Sequence, residues 1–237
     1  MNKKIILFDF GGTLDTNGIH WSEYFRDLYK KFGIKVRYEN YRKAFIESDR
    51  ILSSNVRKDM TYKETLKEQL RLQFEYLNRN SKIKKSFTPV LIEKMIDSCY
   101  ACVNGTISYT REILKSFQGD FKLGVISNFY GNLTVVLAEF DLKNVFDSVI
   151  DSAVFGITKP DERIFKAAIT EMRGTPESAV MIGDSYGQDI VPAKTLGLST
   201  VWLDGRSWTR PGDTSKADFI IHSIKELPLL VSKHFLN

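Results

Sequence analysis

Cysteine and histidine are scarce in this chain of 237 residues, which has two of the first and three of the second. Cys99 and Cys102 form a Cys-Tyr-Ala-Cys pair, and His20, His222 and His234 are all remote from it in sequence. Zinc would need further ligands and redox chemistry a thioredoxin-like context, so a pair set in helical spacing reads as packing. Long apolar runs are missing as well. The four residues Ile5 to Phe8 before Asp9 are too few for a signal-peptide core, and no run approaches the ~20 residues of a membrane span. A cytoplasmic setting without a membrane partner is the expectation. No basic run is interleaved with aromatics as a nucleic-acid stacking surface requires, and Lys82, Lys84 and Lys85 read as a solvated loop. Nucleic acid is therefore not an expected partner. Repeats and low-complexity segments are absent.

What is present is ordinary globular material, 43% hydrophobic and 27% charged, enough for a sizeable core. The charge is uneven. Residues 16–105 hold 18 Lys/Arg against 11 Asp/Glu, and the remainder 16 against 18. A basic segment of that kind is expected to favour an anionic ligand.

The chain opens with a strand signal. Ile5 to Phe8 is a continuous apolar run that stops at Asp9 and is followed by Gly11 and Gly12, as for a strand buried on both faces and ending in a sharp turn. A strand end with a turn is the bland account of that stretch. From Ser22 to about Cys102 the apolar spacing becomes three and four. Tyr24, Phe25, Leu28, Tyr29 and Phe32 form one helical face that Gly33 can end, and Tyr41, Phe45, Ile46 and Leu52 a second. Thr61-Tyr62-Lys63-Glu64 is a capping box opening a third helix with Leu66, Leu70, Phe74 and Leu77, and Thr88-Pro89 opens a fourth with Leu91, Ile92, Met95 and Ile96.

The second half alternates strand and helix. Strands are expected over Phe121 to Ser127, Ser148 to Asp151, Ala179 to Gly183, Ser199 to Leu203 and Asp218 to Ile221. Helices are expected over Leu133 to Phe140, Glu162 to Met172, Gly187 to Leu196 and Ser223 to Phe235. The fold class is α/β, a doubly wound parallel sheet in which a helical unit interrupts the domain after its first strand. The expected division is 1–16 and 106–237 for the core and 17–105 for the helical unit.

Polar residues recur where these strands end: Asp9, Ser127-Asn128, and Asp184 with Asp189 five positions on, while Lys159-Pro160-Asp161 stands before a helix. A parallel sheet puts all its carboxyl ends on one edge, so these groups converge. Three facing carboxylates would raise one another's pKa unless a cation sat among them, and hard oxygen ligands suggest Mg2+. A serine hydroxyl and a lysine ammonium beside it would make a phosphoryl clamp.

Asp9-Phe10-Gly11-Gly12-Thr13-Leu14, Ile126-Ser127-Asn128, Lys159-Pro160-Asp161 and Gly183-Asp184-Ser185 through Asp189 resemble, in order, the four motifs of the haloacid dehalogenase superfamily. The helical insert resembles that family's α-helical C1-type cap. The resemblance implies a Rossmann-like core and a hydrolase acting on a small phosphorylated metabolite. It implies Asp9 as nucleophile and aspartyl-phosphate carrier, with Mg2+ held by Asp9, Asp184 and the carbonyl of Gly11. Ser127 and Lys159 would bind the phosphoryl group together with Gly12 and Asn128, and Asp189 would orient Lys159 or a water. Simpler roles stand beside these: Asn128 as a turn residue, Asp189 as an early-turn helix carboxylate, Asp161 as a helix cap.

One position departs from the pattern. Phosphatases of the family usually carry a second aspartate two residues after the nucleophile, as general acid and base, and here Gly11 stands there. Such a group is worth ~100- to 10,000-fold. Asp15 could replace it or could make only a solvent contact in the loop, and His20 and Trp21 could touch substrate or only pack. Two other readings follow from Gly11: a regulatory module that binds a phosphorylated ligand without turnover, and a carbon–halogen hydrolase, which would not need the metal motif. A phosphate-shuttling mutase fits worse, because it needs the proton transfer that Gly11 cannot perform. Nothing in the sequence decides between monomer and homodimer.

Overall fold

Lys4–Phe8 forms the first strand, β1, and its four apolar residues Ile5, Ile6, Leu7 and Phe8 are wholly buried. The computed structural model describes residues 4–81 and 88–236, so Lys82, Lys84 and Lys85 lie outside the described residues. Full burial of such side chains stabilises the fold by about 1.5–3 kcal/mol each. Their alternation serves two cores: Ile6 and Phe8 face one cluster, Ile5 and Leu7 the other, as the period of two along a strand requires.

Four helices follow: α1 (Trp21–Lys31), α2 (Tyr38–Asn55), α3 (Tyr62–Asn80) and α4 (Pro89–Phe117). The capping box of α3 is formed, with Thr61 Oγ1 accepting from Glu64 N at 3.2 Å and Glu64 Oε2 accepting from Thr61 N at 2.8 Å. Thr88 Oγ1 caps α4 by accepting from Leu91 N. The expected apolar faces are buried or partly buried with one exception, Ile46, which is 50% exposed. It lies one residue past the α2 stripe of Tyr41, Ala44, Phe45, Ser48 and Leu52.

The helix α4 has 29 residues and passes straight through position 105, where the division between the two units was expected. An interior Gly105 costs only about 1 kcal/mol. Val103, Ile107, Thr110, Leu114 and Phe117 keep the buried stripe going on either side of it. Helix and sheet also share a core, because one apolar cluster runs from Ile6 and Phe8 through Phe10, Leu14 and Phe25 to Leu70 and Phe74.

The rest alternates as expected: β2 (Phe121–Ser127), α5 (Leu133–Glu139), β3 (Ser148–Asp151), a short α6 (Ser152–Phe155), α7 (Glu162–Glu171), β4 (Ala179–Gly183), α8 (Val191–Leu196), β5 (Ser199–Leu203), β6 (Phe219–Ile221) and α9 (Leu227–His234). All pairings are parallel, in the order β3-β2-β1-β4-β5-β6. The chain winds outward in both directions from β1, so the crevice between β1 and β4 is where such a sheet receives a ligand.

One local expectation needs correction. The helix expected over Gly187 to Leu196 starts instead as a wide π-type turn, Tyr186–Ile190, before α8. Pro192 has no N–H to give the carbonyl four residues back, so a regular α-helix cannot run through that turn.

Candidate active site

Asp9 continues β1 past its end, and its N–H still donates to Ile182 O of β4 at 2.9 Å. Asp184 follows β4 directly. Both are buried, with Asp9 5% and Asp184 8% exposed. The wide turn after β4 swings Asp189 inward, where it is wholly buried and accepts from Ser185 N at 3.0 Å. Carboxylate oxygens of Asp9, Asp184 and Asp189 all lie within 4.8 Å of one another. Asp189 does stand in the first turn of a helix, the simpler expectation, but its carboxylate is turned into this buried group.

Lys159 enters this group from the loop before α7. Its Nζ donates to Asp9 Oδ1 and to Asp189 Oδ1, each at 2.6 Å. Burial works against the ammonium, but Asp189 and Asp9 outweigh it and lift its pKa above the ordinary lysine range. Burial raises the Asp184 carboxyl well above its usual range, Asp9 and Asp189 add to this, and Lys159 opposes it. Burial likewise pushes Asp189 up to about 6, against the pull of Lys159. One ammonium against three carboxylates leaves an excess of buried negative charge built from hard oxygens. That donor set fits a divalent cation such as Mg2+.

Thr13 ties the two sides together. Its hydroxyl lies 3.1 Å from Asp9 Oδ2 and 3.2 Å from Asp184 Oδ1, and it accepts from Asp184 N at 3.0 Å. Trp202 Nε1 holds the Asp184 carbonyl at 2.9 Å. Neither was singled out from the sequence. Thr13 lay inside the first motif, but only the fold shows that it reaches across to Asp184.

A cavity of about 250 Å³ opens above this floor, lined by Asp9, Gly11, Ser127, Asn128, Lys159, Asp184 and Asp189 among others. Ser127 is buried at the end of β2. Asn128 is exposed, lines the cavity and holds Lys159 by its side chain. Its Oδ1 accepts from Lys159 N at 2.8 Å, and its Nδ2 donates to Lys159 O at 3.0 Å and Gln188 Oε1 at 3.1 Å. Its polar atoms are committed to holding Lys159. Gly12, expected to bind substrate, donates its N–H to Asp15 Oδ1 at 2.7 Å and is not among the residues that line the cavity. What position 12 requires is closeness and a φ of +95°: a Cβ there would stand 2.5 Å from Asp184 Oδ2, so only glycine fits.

Asp15 is wholly buried, neither a solvent contact nor a cavity residue. Its carboxylate also accepts from Trp21 Nε1 at 2.9 Å and Tyr62 Oη at 2.6 Å. Asp161 caps α7, accepting from Arg163 N at 2.9 Å. Cys99 and Cys102 are free thiols in α4, and burial raises the Cys99 thiol, which makes it inert.

Residues 3–197 match the haloacid dehalogenase-like hydrolase family. The chain belongs to that family. Pyrimidine 5'-nucleotidase YjjG of Escherichia coli (strain K12) is 31% identical over 125 residues, covering 52% of this chain and 55% of the relative. Glyceraldehyde 3-phosphate phosphatase of Methanocaldococcus jannaschii is 36% identical over 110 residues, covering 45% and 47%. This chain thus spans about half the length of the curated relatives it matches. The HAD-hydrolase YfnB from Bacillus subtilis, solved bound to magnesium, shares the fold with a TM-score of 0.59 at 20% identity, over 98% of this chain and 100% of that one.

Within this haloacid dehalogenase-like hydrolase, the helical unit supplies the upper wall of the cavity: His20, Trp21, Phe45, Asp49, Tyr62 and Gln69 line it. His20 also caps α1, its Nδ1 accepting from Ser22 N at 3.2 Å. The charge of the helical unit is placed otherwise than its composition suggests. Its described lysines and arginines are exposed or half-exposed, none of them lines the cavity, and the charged residue it does present there is Asp49.

Proposed function

We propose that this chain is a Mg2+-dependent phosphatase acting on a small phosphorylated metabolite, with Asp9 as nucleophile and the helical unit as its cap. The observation that carries this reading is Lys159, wedged between Asp9 and Asp189 at the floor of the cavity while the surplus carboxylate charge still calls for a cation. The names of the nucleotidase and phosphatase relatives agree with it.

Asp9 would attack phosphorus, forming the Asp9–phosphoryl bond as the ester P–O bond breaks and the alcohol oxygen departs. Water would then attack that phosphorus, restoring the Asp9 carboxylate and releasing inorganic phosphate. Lys159 holds Asp9 in place and balances charge around the phosphoryl oxygens, and Ser127 offers them a hydroxyl. Asp189 and Asn128 position Lys159. Asp9, Asp184 and the Gly11 carbonyl would hold Mg2+, which when bound supplies charge neutralisation for the phosphoryl group. With Gly11 in place of an acid, the departing oxygen gets no proton from that position, which favours good leaving groups. Carbon–halogen hydrolysis leaves the excess of buried carboxylate without a purpose.

The test is hydrolysis of p-nitrophenyl phosphate with Mg2+ and with EDTA. Mg2+-dependent release, abolished in Asp9→Asn, is the expected result. Release that persists in Asp9→Asn sinks the mechanism. Silence under both conditions, with Mg2+ still raising the melting temperature, would favour the regulatory phospho-ligand module instead.

A further inference from the structure

The cavity wall opposite the carboxylate floor has a consistent chemistry. Trp21, Phe45, Tyr62 and Phe129 supply aromatic surface, while His20, Asp49, Thr65 and Gln69 are the polar residues that the helical unit adds. Asp49 has no cation partner among the described residues; its Oδ1 accepts from Tyr130 Oη at 2.6 Å. Gln69 lines the cavity, and its side-chain amide makes no hydrogen bond with the other described residues, which leaves it open to a ligand. A ligand that meets this amide is favoured over one that covers it with apolar surface. His20 turns its Nδ1 to Ser22, 2.6 Å from Oγ and 3.2 Å from N, and burial lowers its pKa. Lys159 is the only lysine or arginine lining the cavity among the described residues, and Asp9 and Asp189 already engage it.

A second anionic group on the ligand therefore meets a carboxylate and no free cation. We propose that this cavity selects phosphomonoesters whose leaving group is small, flat, without negative charge and equipped with an N–H or O–H donor, Asp49 excluding a second anion and Gln69 reading the polar edge. The inference rests on the phosphatase reading and narrows its substrate class. A cavity of about 250 Å³ falls just below the ~300–1,000 Å³ usual for ligand pockets, which limits the group to about one ring. Aromatic walls favour that ring being flat. Specificity would come largely from repulsion, the like-charge contact that Asp49 imposes on the wrong ligand.

Two ligands of equal shape isolate the charge: 4-carbamoylphenyl phosphate and 4-carboxyphenyl phosphate, compared at pH 8 with Mg2+. The expected result is that kcat/KM favours the carbamoyl compound by about tenfold or more. Asp49→Asn should bring the ratio towards one, and Asp49→Lys should reverse it. Gln69→Leu should lower kcat/KM for the carbamoyl compound more than for phenyl phosphate. Equal or better turnover of the carboxylate by the wild type overturns the inference, as does a ratio unmoved by Asp49→Asn. The same pair titrated calorimetrically into Asp9→Asn reads discrimination without turnover. If no phosphomonoester is hydrolysed, p-nitrophenyl phosphate included, the phosphatase reading fails by itself. The selection rule then stands if the carbamoyl compound still binds about tenfold more tightly and falls if it does not.

Discussion

Asn128 holds Lys159 by its main chain in both directions: Lys159 N donates to Asn128 Oδ1 at 2.8 Å, and Asn128 Nδ2 donates back to Lys159 O at 3.0 Å. The pair bridges the loops after β2 and before α7, fixing the backbone from which the lysine side chain reaches Asp9. Asn128→Ala removes both bonds and leaves the ammonium chemistry intact. Since a displacement near 1 Å can cost about 100-fold, we expect kcat on p-nitrophenyl phosphate to fall by ~10- to 100-fold. The fold should lose only about 1–2 kcal/mol, read by chemical denaturation. A variant with wild-type kcat would show that Lys159 is placed by Asp9 and Asp189 alone.

Gly11 leaves room for the acid that the site lacks. A Cβ at this position would meet nothing nearer than Trp21 Cδ1 at 3.7 Å, an ordinary contact, and Gly11 already lines the cavity. Gly11→Asp should therefore fold normally and place a carboxyl beside the departing oxygen. Turnover of an alkyl phosphate, a poor leaving group, should rise by up to ~100- to 10,000-fold, while p-nitrophenyl phosphate, which needs no proton, gains much less. Equal change on both substrates would mean that the aspartate acts on binding and not on proton transfer.

The floor of the site was legible in the sequence because strand ends announce themselves. Apolar runs of four or five residues stop at Asp9, Ser127 and Asp184, and a parallel sheet has only one edge for its carboxyl ends. Of the upper wall only His20 and Trp21 stood out in the sequence. Asp49 and Gln69 come from α2 and α3, and no local spacing links them to each other or to His20. The basic composition of residues 16–105 does not show where its charge sits: the described lysines and arginines are exposed or half-exposed, and the cavity receives Asp49. The division expected at 105 falls inside α4, where Val103, Ile107 and Leu114 keep one helical stripe across the glycine.

Asp184 should trade stability for function. It is buried beside Asp9 and Asp189, and burial holds its carboxyl well above the ordinary range. Asp184→Asn removes one of the crowded charges and keeps an oxygen for the Thr13 hydroxyl. In EDTA the variant should be more stable by ~1–3 kcal/mol, seen as a melting temperature a few degrees higher. Added Mg2+ should raise the melting temperature of the wild type and leave the variant where it is. A variant less stable than the wild type in EDTA would mean that the carboxylates are not in conflict.

Asp15 sets a pH dependence away from the metal-binding floor. Burial pushes its carboxyl up to about 6, although Tyr62, Gly12 and Trp21 donate to the charged form. Between the unfolded value near 4 and the folded value near 6 the native state keeps a proton that the unfolded chain has lost. This contribution to stability is therefore largest at low pH, falls as pH rises through 6, and is constant above it. The difference is worth about 3 kcal/mol at 1.36 kcal/mol per unit. Asp15→Asn cannot titrate, so its unfolding free energy should lack that fall between pH 4.5 and 7. The variant will still be less stable at low pH, because an amide nitrogen in place of Oδ2 faces the Trp21 N–H. Urea denaturation of both proteins at half-unit steps checks this. Parallel curves would mean that the three donors, and not burial, fix the charge of Asp15.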